Sequence, residues 1–140
     1  MIITEDKLRA FTQNIFTAIG CSDEHARLAA DVLLRSDMRG IDSHGVARLS
    51  GYVRLWEKGR INPRPNIRVV HETATTATVD GDAGLGLVVA PFAMEVAIQK
   101  AAQYGSGWVS VRNSNHFGIA GYHALLAVEQ EMIGFALTNA

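Results

Sequence analysis

Two short runs of polar residues carry the side chains best suited to chemistry. The first run, residues 42–52, reads DSHGVARLSGY and places His44, Arg48 and Tyr52 four residues apart, which on a helix is one shared face. An imidazole exchanges protons near neutral pH, and a guanidinium one turn away can hold a carboxylate by two parallel hydrogen bonds. With Ser43 to orient the imidazole, this run favours binding of a small hydroxy or oxo acid.

The second run, residues 112–118, reads RNSNHFG and lies between a predicted strand and a predicted helix. Loops in that position commonly bind ligands, because the first N–H groups of the helix point outward. His116 would offer a second polar contact, and Gly118 would let a ligand approach the backbone closely. A plainer alternative stays open for each run: a solvated helix face capped by Ser43, and a simple turn.

Composition narrows the class of protein. The chain has 140 residues, a net charge of −1 and 48% hydrophobic residues, which favours a globular fold with its own core. The charged fraction of 19% is low and hints at surface covered by a partner. No polycationic run indicates nucleic acid, and no apolar run is long enough for a membrane span. The single cysteine, Cys21, and the lack of an apolar leader predict a cytoplasmic protein.

Metal and phosphate motifs are not evident. The pair HE at 71–72 is not followed by a histidine at position 75, and the five histidines lack ligand spacing, so we expect no metal site and disfavour a metal-assisted hydrolase. The glycine-rich run 81–86 lacks phosphate-loop spacing and predicts a structural turn. His25 and His123 are expected to be ordinary surface or capped residues.

The elements that must position the two runs form two segments. The sequence of residues 1–62 predicts three helices, of which the first two are capped by Thr4 and Ser22. The third follows a loop at 40–45 and runs to about residue 58. Helical spacing assigns a buried face to each, formed in turn by Leu8, Phe11, Ile15 and Ala18; by Ala26, Ala30, Leu33 and Leu34; and by Val46, Leu49, Val53 and Trp56. From residue 63 we expect a strand hairpin (67–71 and 75–80), a helix to about 104, a strand (107–112), a helix (120–130) and a buried strand (132–139).

Three blocks also carry a resemblance to a known family. The run RGIDSHGVAR at 39–48 resembles a signature of the type-2 malate/L-lactate dehydrogenases, which are non-Rossmann NAD(P)-dependent oxidoreductases. The run NSNHFG at 113–118 resembles a second block of that family, and LTNA at 137–140 resembles the strand before a third. The family includes ureidoglycolate dehydrogenase, 2,3-diketo-L-gulonate reductase and piperideine-2-carboxylate reductase. The whole chain is similar to the N-terminal part of these enzymes.

The resemblance implies an α/β (α+β) fold. Residues 1–62 would be an N-terminal helical segment, and residues 63–140 the apparently incomplete start of a nicotinamide-binding domain. Family members are longer, and an acidic partner for the histidine lies beyond position 140 in them. We therefore expect the 140-residue chain alone not to turn over a substrate. The family resemblance further implies a homodimer.

The resemblance also implies roles for individual residues. His44, with Ser43 beside it, would be the acid/base, and Arg48 would bind the substrate carboxylate near Tyr52. His116 would lie near substrate and nicotinamide, and either histidine could be the main proton carrier. The cofactor, NAD or NADP, would be bordered by His116, Phe117, Gly118 and Ala140. The implied reaction passes a hydride between that cofactor and a small 2-hydroxy or 2-oxo acid, whose identity the sequence leaves open. The alternative is a non-catalytic N-terminal fragment that binds a partner chain or a small carboxylate.

Overall fold

The computed structural model describes residues 3–139, which form five α-helices and one three-stranded sheet. The helices are α1 (Glu5–Ala18), α2 (Asp23–Asp37), α3 (Leu49–Glu57), α4 (Gly86–Tyr104) and α5 (Ala120–Val128). The strands are β1 (Arg68–Glu72), β2 (Thr76–Gly84) and β3 (Trp108–Ser114). Two short 3-10 turns, Asp42–His44 and Val46–Arg48, connect α2 to α3.

Helices α1 and α2 pack against each other. Ser22 caps α2 as predicted, since its hydroxyl accepts the N–H of His25 at 3.2 Å, whereas Thr4 makes no side-chain cap on α1. The predicted buried face of α2 is confirmed; its four residues are at most 1% exposed.

The predicted buried face of α1 is only partly correct, because Leu8 and Ile15 are half-buried whereas Phe11 and Ala18 are exposed. The fully buried residues are Thr12 and Phe16, while Phe11 is 54% exposed. Thr12 can be buried because its hydroxyl donates to the carbonyl of Leu8 at 2.8 Å, which satisfies the polar group inside the helix. The prediction from hydrophobic spacing therefore misplaced the buried face by about one residue, because it did not count threonine as a core residue.

Helix α3 begins three residues later than predicted. Gly45 adopts an extended conformation (φ −89°, ψ −151°) between the two 3-10 turns, so no continuous helix carries His44 and Arg48. The buried residues of α3 are Leu49 and Tyr52, while Trp56 is 36% exposed. The prediction that His44, Arg48 and Tyr52 share an available polar helix face is therefore wrong, since Tyr52 points into the core.

The sheet order is β1-β2-β3. Strands β1 and β2 form the predicted antiparallel hairpin, and β2 pairs in parallel with β3 through the crossover helix α4. Parallel strands end at the same edge of a sheet, so the segments that follow β2 and β3 lie together. A Cβ on Gly86 would fall 2.0 Å from the carbonyl oxygen of Asn115, which explains a glycine where these segments meet.

The main core lies where helices α1, α2 and α3 pack against the start of α4. It contains Phe16 from α1, Leu33 from α2, Tyr52 from α3 and Leu87 from α4. This core contains residues from both sides of position 62, and the domain boundary proposed there stays a prediction. None of the helices described between residues 3 and 139 combines the length and the apolar character needed to cross a membrane.

The predicted buried strand at 132–139 does not form. Ile133, Phe135 and Leu137 alternate along this segment but are 91%, 68% and 81% exposed. A strand requires a hydrogen-bonded neighbour, and among residues 3–139 the segment pairs with no other strand.

Candidate active site

The loop that carries Ser43 and His44 is tied to the end of α2. The carboxylate of Asp37 accepts the backbone N–H of Val46 at 2.9 Å, and the buried hydroxyl of Ser36 donates to the carbonyl of Ile41 at 2.7 Å. A Cβ on Gly45 would lie 1.8 Å from an oxygen of Asp37, so only glycine fits beneath this carboxylate. Neither Asp37 nor Ser36 was predicted to belong to the site, since both lie in α2, ahead of the polar run.

Ser43, His44 and Arg48 form a connected group on this loop. The hydroxyl of Ser43 lies 2.9 Å from Nδ1 of His44, and Nε of Arg48 donates to the carbonyl of Ser43 at 2.7 Å. His44 is half-buried and Arg48 is exposed. The contact with Ser43 occupies Nδ1 of the imidazole. The other ring nitrogen, Nε2, makes no hydrogen bond within residues 3–139.

The loop that carries His116 is anchored at the carboxyl ends of β2 and β3. The side-chain amide of Asn115 donates to the carbonyls of Ala83 and Gly84, each at 3.0 Å. Asn113, the next-to-last residue of β3, has a positive φ of 53°, and its side-chain amide donates to Asp80 at 3.1 Å. This anchoring fixes where the His116 loop leaves the sheet.

The two loops bring His44 and His116 together. Their ring centroids are 5.5 Å apart and their planes differ by 26°, so the imidazoles stack. Tyr52 contacts the pair from the core: it is 2% exposed, and its hydroxyl lies 2.7 Å from Nδ1 of His116. Tyr52 therefore contacts the site through His116, whereas the sequence had predicted a direct contact with substrate.

The electrostatic environment of the pair favours a neutral His116. Burial lowers the pKa of this histidine, and the positive charge of Arg48 and the neighbouring His44 lower it further. Burial raises the pKa of the Tyr52 hydroxyl above its usual range, so the phenol stays protonated. Burial also raises the pKa of the Cys21 thiol to about 11, which keeps it protonated and unreactive.

An open groove of about 490 Å³ runs from His44 along the start of α5. The groove is lined by the loop after α2, by the residues before and in the first turn of α5, and by the exposed segment after α5. The lining residues are Ile41, His44, Phe117, Gly118, Ile119, Ala120, Gly121, Ala136, Leu137 and Thr138. Gly118 has φ +80°, and a Cβ there would meet Val32 and Leu87 at 2.9 and 3.0 Å. Both its backbone conformation and its packing therefore require glycine.

His123 is buried against Phe117, a residue that lines the groove, whereas we had expected a surface or capped residue. It is 1% exposed, and its Nε2 lies 2.8 Å from the carbonyl oxygen of Phe117. Its ring stacks on the Phe117 ring at 4.9 Å between centroids. His123 thus holds Phe117 by both backbone and side chain, and no feature of its spacing in the sequence indicated that role.

The structure brings together most of the predicted site residues. Ser43, His44, Arg48 and His116 lie in one region, while Phe117 and Gly118 line the adjoining groove. Ala140 lies outside the described residues. Within residues 3–139, no group of three or more histidine, cysteine or acidic side chains is placed to hold a metal ion.

Comparisons with known proteins identify the family of this chain. A family model described as malate/L-lactate dehydrogenase matches residues 3–140. A malate dehydrogenase of Pyrococcus abyssi is 48% identical over 137 residues, which is 98% of this chain and 38% of that protein. An L-sulfolactate dehydrogenase of Methanocaldococcus jannaschii is 44% identical over 139 residues, 99% of this chain and 40% of that protein. The malate dehydrogenase structure from Pyrococcus horikoshii OT3 superposes with a TM-score of 0.90 at 45% identity, covering 93% of this chain and 37% of that one.

Proposed function

Because this chain belongs to the malate/L-lactate dehydrogenase family, we propose that the full-length protein is an oxidoreductase acting on a small 2-hydroxy or 2-oxo acid. The observation that carries the proposal is the stacked pair His44 and His116, with Arg48 beside it, at the end of an open groove. The chain spans 38% to 40% of the length of the relatives described above, and we propose the activity for the whole protein.

Each residue of the site has a chemical task in this reaction. Arg48 uses only Nε to hold the carbonyl of Ser43, which leaves its two terminal nitrogens for the substrate carboxylate. That carboxylate is bonded to C2, so its binding brings the C2 oxygen towards the histidines. His44 delivers a proton to that oxygen during reduction and removes it during oxidation, with Ser43 orienting its imidazole.

The groove fits the nicotinamide end of a cofactor. It has a largely apolar wall that includes Phe117 and Ile119, and it lies against the first turn of α5, where no side chain caps the helix. A Cβ on Gly121 would meet nothing within 4 Å, so the groove is open at this point. Phe117, Gly118 and Ile119 would border the nicotinamide, and His116 would lie between it and the substrate. When bound, the cofactor would supply or accept the hydride at C2.

The cofactor is NAD or NADP, and the substrate is a 2-hydroxy acid of the kind named in the relatives, malate or sulfolactate. Both molecules carry a second anionic group besides the carboxylate at C1. We further propose a homodimer in the cytoplasm, which agrees with the low charged fraction of 19% and the single cysteine.

The experiment is a reduction assay with the full-length protein. NADH and NADPH absorbance would be followed with oxaloacetate, sulfopyruvate and pyruvate, the last of which lacks the second anionic group. We expect turnover, with the two dianions preferred over pyruvate. Tight binding of these acids without oxidation of either cofactor would contradict the proposal and favour a non-catalytic carboxylate-binding protein.

A further inference from the structure

Tyr52 combines features that a core tyrosine does not need. It is 2% exposed, it lies on α3, and its ring meets that of Phe16 edge-on at 6.1 Å. Its hydroxyl nevertheless ends 2.7 Å from Nδ1 of His116, a residue of a distant loop. Packing alone would be served equally well by phenylalanine, so the hydroxyl requires a separate explanation.

The backbone of Gly118 reveals which nitrogen of His116 carries the proton. Its N–H points at Nδ1 of His116 over 3.2 Å. A backbone N–H can only donate, so Nδ1 must present its lone pair. The neutral ring therefore carries its hydrogen on Nε2.

The direction of the Tyr52 hydrogen bond follows from this assignment. Because Nδ1 is an acceptor, the hydroxyl of Tyr52 must donate to it. The alternative acceptor for this hydroxyl, the carbonyl of His116, is 3.5 Å away. Two donors from different elements, α3 and the loop before α5, thus converge on one ring nitrogen.

We infer that Tyr52 is a positioning residue that, with the Gly118 N–H, holds His116 in its Nε2–H tautomer. His116 then acts as a fixed hydrogen-bond donor to the reactants. The inference rests on the proposed function and divides the work between the two histidines. A proton on Nδ1 would face the Gly118 N–H, and the charged or titratable neighbours of His116, namely Arg48 and His44, also oppose a positive ring. His44 is left as the group that exchanges protons.

The experiment measures the tautomer directly. The full-length protein is labelled with ¹⁵N-histidine, and long-range ¹H–¹⁵N correlations are recorded from about pH 6 to about pH 9, which brackets an ordinary histidine titration. The His116→Gln variant assigns the resonances by their loss. We expect His116 to show an unprotonated Nδ1 and a protonated Nε2 throughout this range. A protonated Nδ1 in the wild type would overturn the inference.

The Tyr52→Phe variant tests the contribution of the hydroxyl. We expect the two nitrogen shifts of His116 to move towards each other as the tautomers mix. The kcat should fall by about tenfold, the size expected for one hydrogen bond, with the KM for the cofactor unchanged. Tyr122→Phe is the matched control, because the Tyr122 hydroxyl donates to Asp31 at 2.9 Å and lies outside the site. It should leave both the shifts and kcat as in the wild type.

The outcomes separate this inference from the proposed function. If Tyr52→Phe keeps the wild-type tautomer and kcat, Tyr52 does not position His116, whatever the enzyme reduces. If both tyrosine variants change the His116 shifts equally, the effect is a general loosening and the inference fails. If the tautomer behaves as expected but no 2-oxo acid is reduced, the proposed function fails while the positioning role stands.

Discussion

At the scale of single residues, the two histidines differ in what surrounds them. Nδ1 of His44 contacts only the hydroxyl of Ser43, which can either donate or accept, so this contact does not fix the tautomer of His44. Nδ1 of His116 is held by two donors, and burial together with Arg48 and His44 lowers its pKa. This asymmetry leads us to propose His44 as the acid/base, a choice that the sequence had left open.

The His44→Ala variant of the full-length protein tests that choice. Reduction of a 2-oxo acid places negative charge on the C2 oxygen, and a positioned acid typically contributes ~10²–10⁴-fold to the rate. We expect kcat to fall at least ~10²-fold, with the Kd for NADH or NADPH little changed. Stopped-flow measurement of the reduction step would separate chemistry from product release. Near-normal kcat in His44→Ala, combined with loss of activity in His116→Ala, would require the roles to be exchanged.

The Arg48→Lys variant tests the carboxylate contact. Lysine keeps the positive charge but cannot donate to Ser43 and grip a carboxylate in parallel. The loss should be about 1–3 kcal/mol, as for a charge-assisted hydrogen bond, and should appear in the KM for the oxo acid. Arg54→Lys is a suitable control, because Arg54 bonds to the carbonyl of Ser50 on the exposed side of α3. If both variants keep the wild-type KM, Arg48 does not bind the carboxylate.

At the scale of elements, the site depends on two loops that fixed elements hold at their bases. Asp37 at the end of α2 restrains the His44 loop, and Asn115 ties the His116 loop to the end of β2. Parallel pairing of β2 with β3 brings the second loop to one edge of the sheet, where His116 contacts Tyr52 of α3. The position of each histidine is thus set mainly by hydrogen bonds to neighbouring backbone.

A double-mutant cycle at Asp37 and Gly45 tests this restraint. Gly45 has φ −89°, which alanine also adopts, so its requirement for glycine is one of space against the Asp37 carboxylate. Gly45→Ala should cost about 1–3 kcal/mol of unfolding free energy by overpacking, and Asp37→Ala about 1 kcal/mol by loss of its hydrogen bond. The double variant should be more stable than the sum of the two losses implies, because removing the carboxylate makes room for the methyl group. Urea unfolding of the four proteins provides the measurement; strictly additive losses would contradict the steric explanation.

The sequence predicted local features well and tertiary contacts poorly. The β1–β2 hairpin, the cap at Ser22 and the buried face of α2 follow from propensities that act over a few residues. The contact of Tyr52 with His116 does not, because helical spacing described only neighbours along α3 and assigned this tyrosine to the polar face. The meeting of the two polar runs was inferred from the family resemblance, since no periodicity links positions so far apart in the chain.

At the scale of the whole molecule, buried histidines couple the fold to pH. His123 is 1% exposed, and within residues 3–139 its Nδ1 has no hydrogen-bond partner. Burial lowers its pKa, an effect partly opposed by its bond to the carbonyl of Phe117. In the unfolded chain the same histidine has an ordinary pKa of about 6.5. As the pH falls through that value, the unfolded state binds a proton that the folded state does not accept, so stability is present above about pH 6.5 and is lost below it.

The His123→Gln variant should reduce this acid sensitivity. Glutamine can still donate to the Phe117 carbonyl but does not titrate, so the variant keeps the hydrogen bond and loses the proton linkage. Each proton bound on unfolding lowers the unfolding free energy by up to about 1.4 kcal/mol per pH unit. Urea unfolding of the full-length protein from about pH 8 to about pH 5, on either side of the ordinary histidine pKa, should therefore show a flatter decline for the variant than for the wild type. His71→Gln, at an exposed position of β1, should keep the wild-type slope. The same slope in wild type and His123→Gln would contradict the prediction, because His123 would then not be the proton-linked group. His116, whose pKa burial also lowers, would be the next histidine to substitute.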